Sequence, residues 1–201
     1  MNLKSKLLLA LLATSSAAFA QTAPAAETPE VTYNVGVVSQ YRYRGIAQTK
    51  GDPALQGGVD YANANGFYAG AWGSTIKWIK DAGTLAGSDT KGNVEWDIYG
   101  GKRGDIGGGF TYDVGGLYYY YPGNSLDKVA KNANTFELYG QVGYGPAYFK
   151  YSQSLTNLFG TPNSKYSQYF DLGANIETYY GVMLGLHLGH QSVRGNPNQL
   201  S

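Results

Sequence analysis

Residues 31–43, VTYNVGVVSQYRY, place Val31, Tyr33, Val35, Val37, Tyr41 and Tyr43 on one parity, and Thr32, Asn34, Gly36, Gln40 and Arg42 on the other. Alternate side chains of an extended chain point to opposite faces, so the segment predicts a strand with one apolar and one polar side. The same two-residue rhythm predicts eight further strands over 54–62, 67–78, 93–101, 106–121, 135–144, 147–155, 168–177 and 180–190. The connectors between successive strands are 44–53, 63–66, 79–92, 102–105, 122–134, 145–146, 156–167 and 178–179, alternately long and short. Tight turns at one end and long loops at the other are the layout of an all-β, antiparallel up-and-down transmembrane barrel. A Greek-key sandwich has no reason to keep that asymmetry, although a soluble lipocalin-like barrel shares part of it.

Charge sharpens the pattern. Within the predicted strands the charged residues are Arg42, Asp60, Lys77, Glu95, Asp97, Asp113, Glu137, Lys150, Asp171 and Glu177, and all ten fall on the parity opposite the large apolar side chains. A Lys or Arg facing lipid at mid-bilayer costs roughly 2 to 4 kcal/mol, so a membrane barrel keeps that face free of charge and turns its ions to the lumen. The inverted arrangement, charges outward and apolar bulk inward, is also compatible with the alternation. Tyr and Trp favour the boundary between water and hydrocarbon. Tyr41, Tyr43, Trp78, Trp96, Tyr118, Tyr120 and Phe136 fall toward the long-loop end and Tyr33, Tyr61, Tyr68, Phe110, Tyr112, Tyr144 and Tyr180 toward the short-turn end, which predicts two girdles.

The beginning of the chain reads as an address. In MNLKSKLLLALLATSSAAFA, Lys4 and Lys6 precede an apolar run and Ala18-Phe19-Ala20 forms a cleavage signal, so residues 1–20 are expected to be a signal peptide cut between Ala20 and Gln21. Its apolar run falls well short of the roughly 20 residues that a spanning helix needs. Residues 21–30, QTAPAAETPE, read as a flexible linker, and 31–201 as the barrel domain. The 15 basic residues, less Lys4 and Lys6, against 14 acidic ones leave the mature chain at −1, too little positive charge for a nucleic-acid partner. No cysteine is present, which removes disulfide frameworks, thiolate metal sites and a thiol nucleophile. The 29 glycines and 19 tyrosines point away from a soluble helical protein.

The segments NVGVVSQYRYRGIAQT (34–49), DPALQGGVDYANANGFYAGAWGS (52–74) and EWDIYGG (95–101) resemble the TorF family of porin-like proteins, proteobacterial outer-membrane barrels of largely uncharacterised function. The resemblance covers most of residues 31–190 and is most specific in the first two segments. It implies porin-like placement in the outer membrane of a Gram-negative bacterium, with no catalytic residue to carry over. Family members usually run on to a terminal aromatic strand, whereas this chain ends NPNQLS after nine predicted strands. The expectation is a chain incomplete at its C-terminus, belonging to a barrel of about 12 strands.

The ten strand charges are the candidate pore-lining residues. Seven are acidic and three basic, a net of −4 that suggests a weak cation preference. Arg42 and Arg44 are expected near the external mouth, either in a constriction that attracts anions or paired with wall carboxylates such as Glu95, Asp97 or Glu137. Glu95 and Asp97, two apart on one face, have the spacing of a carboxylate pair in a glycosidase, but polar strand faces produce such pairs by accident. His187 and His190 differ by three and fall on opposite faces, so they cannot chelate one metal. No P-loop continues from the glycine clusters, and no nucleophile elbow occurs. Those glycines are read as sites of curvature, bulges or close packing beside aromatics. No cofactor, metal or enzymatic activity is expected. The expected partners are outer-membrane lipid and lipopolysaccharide, the outer-membrane insertion machinery and small hydrophilic solutes. The functional expectation is passive diffusion of such solutes; a plugged structural or adhesive barrel is the alternative, and a barrel enzyme or soluble lipid carrier are more distant ones.

Overall fold

A computed structural model of the chain describes residues 29–195. The expected signal peptide, its cleavage site at Ala20–Gln21, most of the 21–30 linker and the final NPNQLS lie outside those residues. The fold is all-β, with few helices. Its strands are β1 (Glu30–Val38), β2 (Arg42–Tyr43), β3 (Ile46–Ala47), β4 (Ala54–Ala62), β5 (Phe67–Thr75), β6 (Val94–Gly107), β7 (Phe110–Tyr120), β8 (Thr135–Tyr144), β9 (Ala147–Ser154), β10 (Gln168–Glu177) and β11 (Met183–Ser192). Nine of them form one antiparallel sheet in the order β1-β4-β5-β6-β7-β8-β9-β10-β11, and β2 and β3 make a separate small hairpin. Three predicted strands, 54–62, 135–144 and 168–177, coincide with β4, β8 and β10.

Four boundaries move, each for a local reason. The first strand stops at Val38, and the chain turns inward so that Tyr41 is only 2% exposed. The fifth strand stops at Thr75; Ile76 and Ile79, three apart, are both buried, and helix α1 (Trp78–Leu85) follows instead of more strand. β6 runs past the predicted turn at 102–105 to Gly107, with a register shift between Asp105 and Gly107. Gly108 and Gly109, at φ 65° and 84°, then make the two-residue reversal into β7 that left-handed backbone permits. The last strand begins at Met183, because Thr178 to Val182 close a turn with Tyr180 at φ 66°.

The sheet is strongly curled. One guanidinium nitrogen of Arg44 reaches both Glu137 on β8 and Gln191 on β11, at 3.0 and 2.6 Å. Those strands lie three positions apart, about 14 Å in a flat sheet. Closure is not seen among the described residues: β1 pairs only with β4, and β11 only with β10. What the described residues show is a curled, open antiparallel sheet of nine strands, and the closed barrel expected from the sequence is not seen among them. Its apolar core sits at the long-loop end, where Tyr41, Trp72, Ile76, Ile79, Tyr119, Tyr121 and Leu126 pack as the loops fold over the concave side.

Candidate functional site

The registers assign each strand's faces. Asp97 pairs with Trp72 and Tyr119, Asp113 with Arg103 and Gln141, and Lys150 with Gln141 and Asp171, all on the concave side. The convex side carries Val35, Leu55, Ile98, Val114, Leu138, Phe149, Leu172 and Leu186, every one of them exposed. Polarity is thus inverted relative to a water-soluble sheet, with Glu95, Asp113, Glu137 and Gln141 buried and the large aliphatics outside.

Tyrosine and glycine build the inner face together. Gly101 faces Tyr68, Gly70 faces Tyr99, Gly115 faces Tyr139 and Gly173 faces Tyr148 across the sheet, and in each pair the ring lies where a Cβ on the glycine would stand. The missing side chain lets the phenol lie flat on the neighbouring strand and project its hydroxyl sideways. Tyr99 donates to Asp60 and Tyr68 to Asp113, each at 2.5 Å, and the Tyr68 and Tyr139 hydroxyls also contact one another. At the long-loop end Tyr41 donates to Glu95 at 2.6 Å, and the Tyr43 and Tyr119 hydroxyls are 2.5 Å apart. These bonds answer the requirement that buried polar groups find partners.

The β2–β3 hairpin folds onto this face. Arg44 and Gly45 form its reversal at φ 47° and 80°, and left-handed backbone at a non-glycine residue persists only where its surroundings enforce it. Here Arg44 Nη1 and Nη2 donate to the two oxygens of Glu137 at 3.0 and 2.7 Å, and the guanidinium lies 4.1 Å from the centroid of the Tyr169 ring. Burial works to lower the Arg44 pKa, but the facing Tyr43, Glu137 and Tyr119 oxygens outweigh it and hold the group above arginine's ordinary value. It stays charged.

Beside the hairpin, against β8 to β11, lies a cavity of about 360 Å³. Arg42, Arg44, Glu137, Lys150 and Asp171 supply its charges, His187 adds an imidazole, and Tyr43, Tyr119, Tyr139, Tyr148 and Tyr169 form much of its wall. Asp171 receives the Tyr148 hydroxyl at 3.3 Å and stands 3.4 Å from His187 Nδ1.

Of the ten strand charges, Asp60, Glu95, Asp97, Asp113, Glu137, Lys150 and Asp171 lie on the concave face between the strand ends. Glu177 shares that parity but is exposed at the short-turn end. Two placements need correction. Lys77 lies beyond β5 in the loop and pairs with Asp52, because the strand ends before it. Arg42 belongs to the hairpin, is exposed, and bonds Gln40 and the Gly45 carbonyl at the cavity mouth. Arg103 and Asp105 stand on the inner face as well, in a stretch of β6 that the alternation assigns to the turn at 102–105. That longer strand also puts Lys102 on the outer parity, near the short turn and 4.9 Å from the Phe67 ring. The girdles lose Tyr41, Tyr43, Tyr68 and Trp78: the first three face inward, and Trp78 packs on Tyr121 from α1 with ring centroids 5.4 Å apart. Trp96 and Tyr120 at one end, and Tyr33, Tyr61, Phe110 and Tyr144 at the other, remain exposed on the outside.

Glu95 and Asp97 are both inward, and Glu95 accepts the Tyr41 hydroxyl. His187 faces the cavity, whereas His190 lies outside beside Phe170. Among the described residues no group of three His, Cys, Asp or Glu is placed to hold a metal ion.

No curated protein and no solved structure matches the chain. A family model does match, over residues 22–201. The chain belongs to that family, Gcw_chp, described as a bacterial protein of unknown function.

Proposed function

We propose that this chain forms the wall of an outer-membrane β-barrel that lets small hydrophilic solutes diffuse along its polar inner side. The observation that carries the reading is the inversion of polarity over nine strands. Water-soluble proteins rarely expose a contiguous apolar patch beyond a few hundred Å², yet here Val, Leu, Ile and Phe side chains follow one another across the whole convex face. Acyl chains are the solvent that suits such a surface. The resemblance to the TorF porin-like proteins and the export signal point to the same place. No helix of the described residues is long and apolar enough to span a bilayer, so the strands alone would cross it. In lipid, the free edges of β1 and β11 need hydrogen-bond partners, and the reading requires that they be paired there.

The second reading, a plugged barrel that binds partners through its external loops, is favoured by the β2–β3 hairpin and by the packed loops over the long-loop end. Conductance of the refolded mature chain in planar bilayers separates the two: discrete steps support the pore, and a silent but folded protein supports the plug. Carbonate-washed fractionation tests both, since release into the soluble fraction would overturn the membrane reading itself. For the pore, the excess of carboxylates over cations on the inner face, with Asp105 and Arg103 counted in, keeps a weak cation preference as the expected reversal potential.

A further inference from the structure

We infer that the cavity beside the hairpin is a binding site for a small organic carboxylate on a flat ring, with Lys150 as its counter-ion. The inference deepens the channel reading, on which its biological sense rests.

The charges in the cavity are unequally committed. Arg44 is consumed by Glu137 and Gln191. Asp171 faces Lys150 across the sheet, yet its contacts are with Tyr148 and His187. On the other side Asp113 receives Tyr68. Lys150 is left with the face of Tyr139, 4.2 Å from Nζ to the ring centroid, and among the described residues no carboxylate lies within ion-pair distance of it. Arg42 at the mouth likewise bonds only neutral oxygens.

A half-buried ammonium that touches no carboxylate, in a cavity that Arg42 also lines, attracts a negative group that brings its own charge to the pair. The remaining wall decides what that group is attached to. Tyr148 lies flat over Gly173 and offers the cavity a ring face with a hydroxyl rim, while the Tyr169 ring is covered by Arg44. A planar ring stacks there with little loss of freedom, and its carboxylate reaches Lys150. About 360 Å³ lies at the small end of the range of ligand pockets and suits a single small ring. The wall as a whole is acidic, but most of its carboxylates already accept tyrosine or arginine hydrogens. The cavity is where positive charge is uncommitted.

The test uses the mature chain refolded in detergent micelles, with benzoate, its neutral isostere benzamide and the cationic benzylamine as calorimetric probes. Benzoate is expected to bind at least tenfold more tightly than either comparator, and Lys150→Gln to abolish that preference while Lys150→Arg retains it. Equal binding of benzamide, or a benzoate preference unchanged in Lys150→Gln, overturns the proposal. Loss of the preference in Lys150→Arg as well as in Lys150→Gln also overturns it, because a charge at that position is then not what selects. Binding in micelles needs no pore. Absent conductance with intact benzoate binding therefore defeats the channel reading alone, and conductance without the preference defeats this inference alone.

Discussion

Arg44 and Glu137 stand 93 residues apart and meet in a two-pronged ion pair that is almost wholly shielded, with side chains 9% and 3% exposed. The pair joins a loop hairpin to the middle of the wall. Its cost and gain are closely balanced while both members are present, but removal of one strands the other in a poorly solvated place. Glu137→Gln is expected to destabilise the folded protein by about 3 kcal/mol in urea titration, and Arg44→Met with Glu137→Gln to recover part of that loss. Additive losses would mean that the two residues act separately.

The outward face makes a sharper demand. Leu138 lies near the middle of β8 on the convex side. Leu138→Arg is expected to cost roughly 2 to 4 kcal/mol of membrane-folded stability, whereas Asn175→Arg, into the cavity, costs much less. Comparable refolding yields into lipid vesicles for the two variants would contradict a lipid-facing convex side.

Because the chain has no cysteine, single cysteines report side-chain exposure without background. Across residues 137–142 a nitroxide attached at the even positions of β8 is expected to be relaxed by oxygen dissolved in the lipid of vesicles, and one at the odd positions to be shielded from it. Relaxation without that alternation would sink the face assignment.

The tyrosine and glycine pairs predict a steric asymmetry between glycines. A Cβ on Gly70 would stand 2.5 Å from the Tyr99 ring, while one on Gly36 would meet nothing within 4 Å. Gly70→Ala is expected to destabilise by about 1 to 3 kcal/mol and to release the Tyr99 bond to Asp60, visible as a change in tyrosine absorbance; Gly36→Ala is expected to be close to neutral.

Lys77 provides the opposite kind of check. Its pairing with Asp52 raises its pKa above lysine's ordinary value, chiefly through the direct hydrogen bond. A raised lysine pKa stabilises fully below the unfolded value and is lost as pH rises through the folded one, so any contribution is confined to alkaline loss. The side chain is largely in water, and Lys77→Ala is expected to leave both conductance and the urea midpoint unchanged at pH 7. A shifted reversal potential would return Lys77 to the lumen.

Period two, connector asymmetry and charge parity were enough to place nine strands and, in all but β5, to say which face is the outward apolar one, because an extended backbone leaves only two directions for a side chain; in β5 the apolar parity of Tyr68 and Trp72 is the inward one. That local rule holds without knowledge of neighbours, and it located β4, β8 and β10 to the residue. It failed where tertiary contacts compete with it. Tyr41 and Ile76 continue an alternating pattern, yet both are drawn into the core by loops that fold over the wall's end. Tyrosine was ambiguous for a related reason: its ring suits a lipid boundary and its hydroxyl suits a buried carboxylate, so Tyr68 and Tyr61 read alike although one points in and the other out. Only the curl of the sheet brings Tyr68 to Asp113, Arg44 to Glu137, and a cavity to the side of Lys150, since those partners lie on different strands whose distance no local pattern encodes.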